Sequence, residues 1–437
     1  MRRTKPAASL MAAAALGLVT ASLVGGCSST PAIQPVALAT ESPNGVPAAD
    51  TVPTTASRAQ VTTGLDTFGL ALFKQLGTSD GNLVFSPQSL AQALTMLLPG
   101  ARGTSASELE TVLGYDGLTP DQAAYALGAQ DSATQQRAVA DSDTLTEADG
   151  VWAQKGLALQ SSYLQTLSGA FNTGVWQPDF ETDPSAATQQ INNQVSQETK
   201  GLIPQLFGQG AIDNTTRLVL TDATYFKAPW TQSFDPSQTS PANFTTSAGS
   251  TASVPMMNQT AEFGYASGNG WQAVQLPYGG GQLAMDVILP DSSTKGALAS
   301  YRAGLTQDGL TALADSFAPV SVELSLPKFT IKTTDDSLPA DLQQLGLRSV
   351  FTSSADLSGI FTTDKDLYVQ TVVQQAQIQV GEQGTTAAAG SGVGVGTAAI
   401  AAPKKQKVFD ADHPFVYMIR DVISNQILFI GQVGDPS

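Results

Sequence analysis

Apolar residues recur at helical spacing in the first third of the chain. Positions three or four residues apart share one face of a helix. Two such sets occur there: Leu65, Phe68, Leu72, Phe73, Leu76, and then Leu90, Ala93, Leu94, Leu97. Ser86-Pro87 stands directly before the second set, where Ser is a favourable N-cap and Pro suits the first helical position. The pattern predicts two early helices, the second of which begins at Pro87.

Further helices are predicted between residues 105 and 206. Ser105 and Glu108 have the spacing of a capping box, which predicts a helix that begins there and ends before Gly114. Thr119-Pro120 predicts the start of the next helix. Residues 187–206 predict one more.

The later part of the chain changes to the apolar, β-rich pattern of strands. The strand-like segments are 217–227, 272–276, 283–289, 320–326, 415–420 and 426–433. Helices concentrated early and strands concentrated late are typical of an α+β fold. Because no long linker interrupts residues 58–437, we expect one large domain there.

Residues 368–407 are the most informative stretch. A half-buried strand is predicted by the alternation of a mostly apolar face, Val372, Gln374, Ala376, Ile378 and Val380, with a mostly polar and solvated face, Val373, Gln375, Gln377 and Gln379. Gln374 interrupts the apolar face and therefore needs a hydrogen-bond partner. After Gly384, small residues alternate with glycines at 390, 392, 394 and 396, which is compatible both with an exposed loop and with an inserted strand. Local composition alone fits a disordered Gly/Ala linker equally well.

Composition narrows the possible chemistry. The 437 residues carry 37 acidic and 21 basic side chains, a net charge of −16, which argues against nucleic-acid binding because phosphates attract basic surfaces. One Cys and one His exclude a disulfide framework, a structural zinc site and a thiol–imidazole pair. We therefore expect no cofactor and no metal.

The N-terminus has the pattern of an export signal. Basic residues precede an apolar run at residues 10–24, which predicts a signal peptide over residues 1–26. Gly25-Gly26-Cys27 resembles a bacterial lipobox and implies cleavage before Cys27 and lipidation of its thiol, with a plain signal or a transmembrane anchor as the alternatives. Residues 27–57 are rich in Pro, Ser, Thr and Ala and predict a disordered tether. We expect a protein exported across the cytoplasmic membrane and anchored at the cell surface or released from it.

Short enzyme motifs lack their required context. Ser292-x-x-Lys295 matches a signature of penicillin-recognising enzymes but lies in a polar stretch after a strand. Residues 394–399 imitate a dinucleotide loop, although Pro403 follows where a helix is required. His413 lies directly before a strand, and we interpret it as structural.

A long ordered series of segments resembles the serpin family over residues 58 to 436. The segments are 82–90, 98–104, 179–180, 184, 191–192, 199–204, 225–227, 230, 234, 254–257, 276–278, 289–291, 326–329, 356–360, 412–415 and 427–431. The resemblance implies the serpin fold, a single α+β domain with about three β-sheets and eight to nine helices. It also implies an exposed reactive-centre loop at about residues 382–407.

The resemblance gives the Gly/Ala stretch a role in a suicide-substrate inhibitor of serine proteases, which is not itself an enzyme. The implied hinge of the loop comprises Glu382, Gln383, Gly384, Thr385, Thr386, Ala387, Ala388 and Ala389. The family's usual loop length, counted from Glu382, places the reactive bond between Ala398 and Ala399. A small residue suits a shallow primary pocket, so an elastase-like or subtilisin-like protease is expected. Lys404, Lys405 and Lys407 offer a trypsin-like enzyme an alternative, although they lie about six residues later.

Two positions depart from the family pattern. Asp222 stands where the family usually has Asn, and Gln374 stands where it usually has His. The resemblance implies that these positions, together with Ser86 and Ser89, form the polar shutter beneath the main sheet. The Gln374 amide can donate to the Asp222 carboxylate, and two independently solvated side chains are the alternative.

The resemblance also implies a salt bridge and a set of partners. Lys328 and Glu382 match family positions that pair at the root of the loop. We expect a monomer whose partner is a serine protease and whose only membrane contact is the lipid anchor. The alternative function is a non-inhibitory serpin that acts as a cell-surface binding protein, although Thr385 and residues 387–389 are small, as inhibitors require.

Overall fold

The computed structural model of the chain describes residues 34–36, 51–77, 80–291, 296–362, 367–385 and 406–437. Within these residues the α-helices are α1 Thr55–Leu76, α2 Pro87–Leu97, α3 Gly103–Leu113, α4 Pro120–Ala140, α5 Ser161–Phe171, α6 Pro184–Glu198, α7 Ala297–Gly304, α8 Gln307–Ser316 and α9 Leu338–Gln344.

The strands of the same residues form two sheets. In chain order they are β1 Leu83–Phe85, β2 Thr144–Glu147, β3 Gly150–Ala153, β4 Val175–Trp176, β5 Leu218–Pro229, β6 Ser240–Thr245, β7 Thr251–Gly268, β8 Trp271–Pro277, β9 Leu283–Pro290, β10 Ala318–Pro327, β11 Phe329–Asp335, β12 Thr371–Gly381, β13 Gly384–Thr385, β14 Lys407–Asp410, β15 Phe415–Asp421 and β16 Ile427–Val433. The α+β fold class predicted from the sequence is confirmed.

The main sheet has the strand order β11-β12-β13-β5-β3-β4, with β2 also paired to β5. β11 and β12 are antiparallel, whereas β12 and β5 run parallel. The first half of β12 is buried on both faces, since Val373 and Gln375 of the face predicted to be solvated are also buried. The prediction of a half-buried strand is therefore wrong for that half.

The second sheet has the order β1-β16-β15-β9-β8-β7-β10-β14, with β6 paired to β7. β7 has 18 residues, and it pairs with β6 near its start and with β8 near its end. β7 therefore joins groups of strands that were expected to form separate sheets. The described residues contain two sheets, whereas the resemblance implied about three.

Three apolar clusters bury the faces of these sheets. One lies between the two sheets and includes Phe226, Ile378 and Phe429. A second contains residues of α1, α2 and α4 together with residues of both sheets. A third packs around Val373 and α6. A sheet covered on both sides needs partners for every polar side chain that points inward.

Helix starts follow the sequence where the cap is local. Ser86 caps α2 by accepting a hydrogen bond from Ser89 N (3.2 Å), and Thr119 caps α4, as predicted. The capping box at Ser105 is wrong, since α3 already begins at Gly103. Ser105 Oγ instead accepts from Asp356 N (3.0 Å), a tertiary contact that local spacing does not reveal. The helix predicted over residues 187–206 is α6, which ends at Glu198.

The ordered domain begins earlier than residue 58. α1 starts at Thr55, and Val36, within the stretch predicted to be a free tether, forms an antiparallel bridge to Val175. The tether prediction is therefore wrong for these residues, while residues 1–33 and 37–50 lie outside the described ones. Among the described helices, none is long and apolar enough to cross a membrane.

Candidate functional site

The described residues predicted to form the hinge of the loop lie where β5 and β12 both end, which we call the upper end of the main sheet. β12 ends at Gly381, the chain turns through Glu382-Gln383, and β13 then runs back beside β12. On its other side β13 pairs with the end of β5, where Thr385 lies opposite Ala228. The two residues of β13 therefore occupy the space between β5 and β12 at that end.

Below the hinge the two long strands pair directly. The parallel register runs from Thr371 opposite Val219 to Gln377 opposite Tyr225. We call this contact the β5–β12 seam. Because no strand lies between β5 and β12 over these residues, the seam is closed and only its upper end holds part of the hinge.

Gly384 fits this position because of its backbone. Its φ of +145° favours glycine, and a Cβ built on it lies 2.1 Å from the carbonyl oxygen of Ala228. The next residue, Thr385, is fully buried. Its Oγ1 lies 2.5 Å from Tyr278 Oη, and either hydroxyl is able to donate.

Two residues after β5 hold the turn of the hinge. Trp230 N donates to Gln383 O (3.0 Å), and Phe234 N donates to Glu382 O (2.8 Å). The indole Nε1 of Trp230 donates to Gly381 O (2.9 Å), and its ring stacks on Tyr278 at 4.5 Å between centroids. Main-chain bonds and stacked rings therefore fix the hinge at the end of the seam.

The salt bridge implied by the resemblance is present. Lys328 Nζ lies 2.9 Å from Glu382 Oε2, and Thr239 Oγ1 donates to Glu382 Oε1 (3.0 Å). Partial burial disfavours the charged carboxylate, but hydrogen bonds from Lys328 and Thr239 outweigh it and hold the pKa of Glu382 below its ordinary value. Since the Lys328 side chain is 39% exposed, the pair contributes below about 1 kcal/mol.

In the middle of the seam, Asp222 and Gln374 are direct register partners. Gln374 Nε2 donates to Asp222 Oδ2 (2.5 Å) and to Ser86 O (2.9 Å), while Gln374 Oε1 accepts from Ser86 N (3.2 Å). This answers the need for a partner that the sequence indicated. The Asp222–Gln374 bond crosses the seam and must break when β5 and β12 separate.

Ser89 extends this network beneath the sheet. Its Oγ is within hydrogen-bond reach of Asp222 Oδ1 and lies 2.8 Å from Asp149 Oδ1. Burial raises the pKa of Asp222 to about 6, although hydrogen bonds from Ser89 and Gln374 favour its charged form. Sequence reasoning missed Asp149, because Asp149-Gly150 has the pattern of an ordinary turn between strands.

Several predicted site residues lie outside the described ones. They are Cys27, Thr386, Ala387, Ala388, Ala389, Ala398, Ala399, Lys404, Lys405, Ser292 and Lys295. The structure therefore brings Glu382, Gln383, Gly384 and Thr385 to the seam and leaves the reactive bond as an expectation.

The remaining candidate chemistry is structural in character. His413 Nε2 lies 2.7 Å from Pro290 O, and Nδ1 lies 2.7 Å from Asp412 Oδ1. These contacts hold the chain just before β15, in agreement with the structural role expected for His413. In the part of the chain that the structure describes, no group of three or more His, Cys, Asp or Glu residues is arranged to hold a metal ion.

Comparison with known proteins finds a matching family model and relatives of similar length. The family model described as "Serpin (serine protease inhibitor)" matches residues 63–436. Leukocyte elastase inhibitor A of Mus musculus is 33% identical over 381 residues, which are 84% of this chain and 97% of that protein.

Two solved structures share the architecture. The thermophilic serpin tengpin in its native state is 25% identical, with a TM-score of 0.76, and the match covers 86% of this chain and 94% of that one. Human thyroxine-binding globulin is 26% identical, with a TM-score of 0.78, over 87% and 100% of the two chains.

Proposed function

The chain belongs to the serpin family, and from this premise we propose that it inhibits serine proteases as a suicide substrate. The protease serine attacks the carbonyl carbon of Ala398, the Ala398–Ala399 bond breaks, and an ester joins the protease to Ala398. The new amine of Ala399 leaves with the C-terminal part of the loop. The freed segment then enters the β5–β12 seam as a strand and carries the bound protease with it.

The position of the hinge carries this proposal. Gly384-Thr385 already lies between the ends of β5 and β12, directly above a seam that is closed from Gln377 to Thr371. Insertion of the following residues continues a pairing that has started. Among the hinge residues described, Thr385 is small enough to be fully buried.

The energy for insertion comes from new pairing in the sheet. A strand placed in the seam adds on the order of ten ladder hydrogen bonds, each with a net contribution of about 1 kcal/mol. Ordering each glycine takes back about 0.5–1 kcal/mol relative to alanine. Since the balance favours insertion, the closed seam is held by a barrier, so its stability is kinetic.

The target class follows from the small residues at the reactive bond. Ala398 suits a shallow primary pocket, and the chain resembles proteins named leukocyte elastase inhibitor. We propose an elastase-like or subtilisin-like protease as the target.

Incubation with pancreatic elastase tests the proposal. We expect a complex that survives SDS and a released fragment that starts at Ala399. The matched variant is Ala398→Arg, which we expect to form the complex with trypsin and no longer with elastase. A wild-type complex formed by cleavage after Lys404 or Lys405 contradicts the target assignment. Cleavage without complex and without a rise in thermal stability supports the non-inhibitory binding protein instead.

We also propose that the protein is exported and anchored through a lipid on Cys27. The proposal rests on the basic start, the apolar run and Gly25-Gly26-Cys27. Cells fed an alkyne-labelled fatty acid should label the wild-type protein in the membrane fraction. Cys27→Ser should lose the label and the membrane association, and label retained by this variant contradicts the anchor.

A further inference from the structure

Four carboxyl groups surround the start of α2 behind the seam. They come from four elements: Asp131 from α4, Glu147 from β2, Asp149 from the β2–β3 turn and Asp222 from β5. Asp222 is fully buried, and the other three are half-buried residues.

These carboxyls raise one another's pKa values. Burial and the nearby charge of Asp222 raise the pKa of Asp149, and burial and the charges of Asp131 and Asp149 raise the pKa of Glu147. Burial and like charges both disfavour the ionised form of an acid. The cluster therefore keeps protons to a higher pH than ordinary acids do.

Ser89 leads to the same conclusion by a separate route. Its Oγ lies within hydrogen-bond reach of both Asp149 Oδ1 and Asp222 Oδ1. A hydroxyl has one hydrogen and donates to only one of these oxygens. The other contact is a hydrogen bond only if that carboxyl donates, which requires a proton in the Asp149–Asp222 pair.

Unpartnered buried oxygens of two neighbouring side chains also indicate a shortage of donors. The amides of Gln88 and Gln92 donate to Asp131 and to Asp149 Oδ2 (3.0 Å), while their Oε1 atoms are buried and have no partner in the described residues. Gln88 is fully buried and Gln92 is 8% exposed. A protonated carboxyl group is a hydrogen-bond donor, so protons on these acids would supply the donors that the two amide oxygens lack.

Charges from the surrounding elements are negative. The ionisable groups that act most strongly on Asp149 are Asp222, Asp131 and Glu198 of α6. α2 contributes Ser86, Gln88, Ser89 and Gln92, and β12 contributes Gln374, none of which is charged. Removing the shared proton therefore places two carboxylates close together, and no cation is among the described groups that act most strongly on Asp149.

The Asp149–Asp222 pair is joined directly to the seam. Asp222 accepts from Gln374 across the seam and from Thr224 Oγ1 (3.1 Å) on its own strand. Apart from the shared Ser89, Asp222 accepts from two donors and Asp149 from one, Gln92, so Asp222 keeps the anionic role in the pair and Asp149 holds the proton. Burial and the charge of Asp222 raise the pKa of Asp149 well above its ordinary value, in agreement with this assignment.

We propose that the proton shared by Asp149 and Asp222 holds the β5–β12 seam closed, so that loss of this proton at basic pH favours opening of the seam. Opening breaks the Asp222–Gln374 bond and gives the acids access to water, where they ionise more readily. The closed seam thus binds a proton that the open seam releases. Each released proton changes the opening equilibrium by up to about tenfold per pH unit.

Hydrogen exchange measured at pH 6, 7.5 and 9 tests this inference. The readout is the protection factor of β5 and β12 amides, corrected for the intrinsic pH dependence of exchange. In the wild type we expect protection to fall by up to about tenfold per pH unit. Asp149→Asn and Asp222→Asn replace the shared proton with an amide that always donates, so each variant should remove this fall. Asp315→Asn changes an exposed acid and should behave as the wild type.

The outcomes are distinct. A fall of the same steepness in wild type, Asp149→Asn and Asp222→Asn overturns the inference, as does a wild type without any fall. Failure of both variants to fold at pH 6 also overturns it, because an amide in place of a protonated acid should be tolerated there. The inference rests on the proposed function only in taking separation of β5 and β12 as the step that inhibition requires. The exchange readout uses no protease, so a protein that forms no elastase complex but shows this pH dependence refutes the function alone.

Discussion

At its upper end the β5–β12 seam contacts the hinge through two stacked rings, main-chain bonds and the Lys328–Glu382 pair. At its middle it is crossed by a buried amide–carboxylate bond between Gln374 and Asp222. In the proposed mechanism, the upper contacts are made with the segment that inserts and guide it. The middle contact joins the two strands that separate in that mechanism, and it opposes insertion. The proposal thus assigns a guide and a barrier to the same seam, and substitutions should distinguish them.

The largest effect is expected when the guide is blocked. Thr385→Arg puts an unpaired charge where Thr385 is fully buried between β5 and β12, so we expect the hinge to leave the seam. Its return into the seam during insertion then costs several kcal/mol. Complex formation with elastase should fall at least roughly 100-fold, since about 1.4 kcal/mol is a factor of ten in rate. Cleavage should continue. Gln379→Arg, on the exposed face of β12, is the control and should keep its complex. An unchanged complex yield with Thr385→Arg contradicts insertion through this position.

The next effect is expected when the barrier is weakened. Gln374→Ala removes the bonds to Asp222 and to both backbone groups of Ser86. Ser86 N loses this buried acceptor, whereas Ser86 O keeps the bond from Leu90 N (3.2 Å). We expect the closed form to lose about 3 kcal/mol. Urea unfolding and the rate of spontaneous conversion to an uncleavable form measure this loss. Gln379→Ala is the matched control, and equal stability of the two variants rules out the barrier role.

A smaller effect should follow from the hinge contact of Tyr278. Tyr278→Phe keeps the ring stacked on Trp230 and removes only the hydroxyl that meets Thr385. The loss should be about 1 kcal/mol in the free energy of unfolding. Hinge amides should exchange faster, while those next to Gln374 stay as they were. A uniform change along β12 contradicts the separation of the two regions.

The smallest effect is expected from the ion pair. Glu382→Gln should cost below about 1 kcal/mol near neutral pH, because Lys328 is partly exposed. Hydrogen bonds lower the pKa of Glu382 despite partial burial, so its contribution is present above the ordinary carboxyl pKa and disappears as pH falls through the lowered value. Denaturation curves at pH 7 and pH 3 should differ between variant and wild type only at pH 7. Asp336→Asn, an exposed acid, is the control.

Local sequence signals predicted the parts of this seam that depend on short-range chemistry. Ser86-Pro87 gave the start of α2, and the interruption of an apolar face by Gln374 indicated a buried partner. The pairing of Lys328 with Glu382 came from the family resemblance and is present in the structure.

Other features depend on tertiary contacts that spacing does not encode. Ser105 looked like a cap but bonds to the distant Asp356, and Asp149, which no sequence signal singled out, shares Ser89 Oγ with the distant Asp222. Val373 was assigned to a solvated face, although residues around α6 cover it. In each case the deciding partner lies far away in the chain.

The mass of the complex with pancreatic elastase tests the central claim most directly. An intact-mass measurement on the SDS-stable product should give elastase plus this chain without residues 399–437, joined by one ester. An adduct that retains those residues, an adduct cut at a different bond, or the absence of any covalent adduct contradicts trapping at Ala398–Ala399.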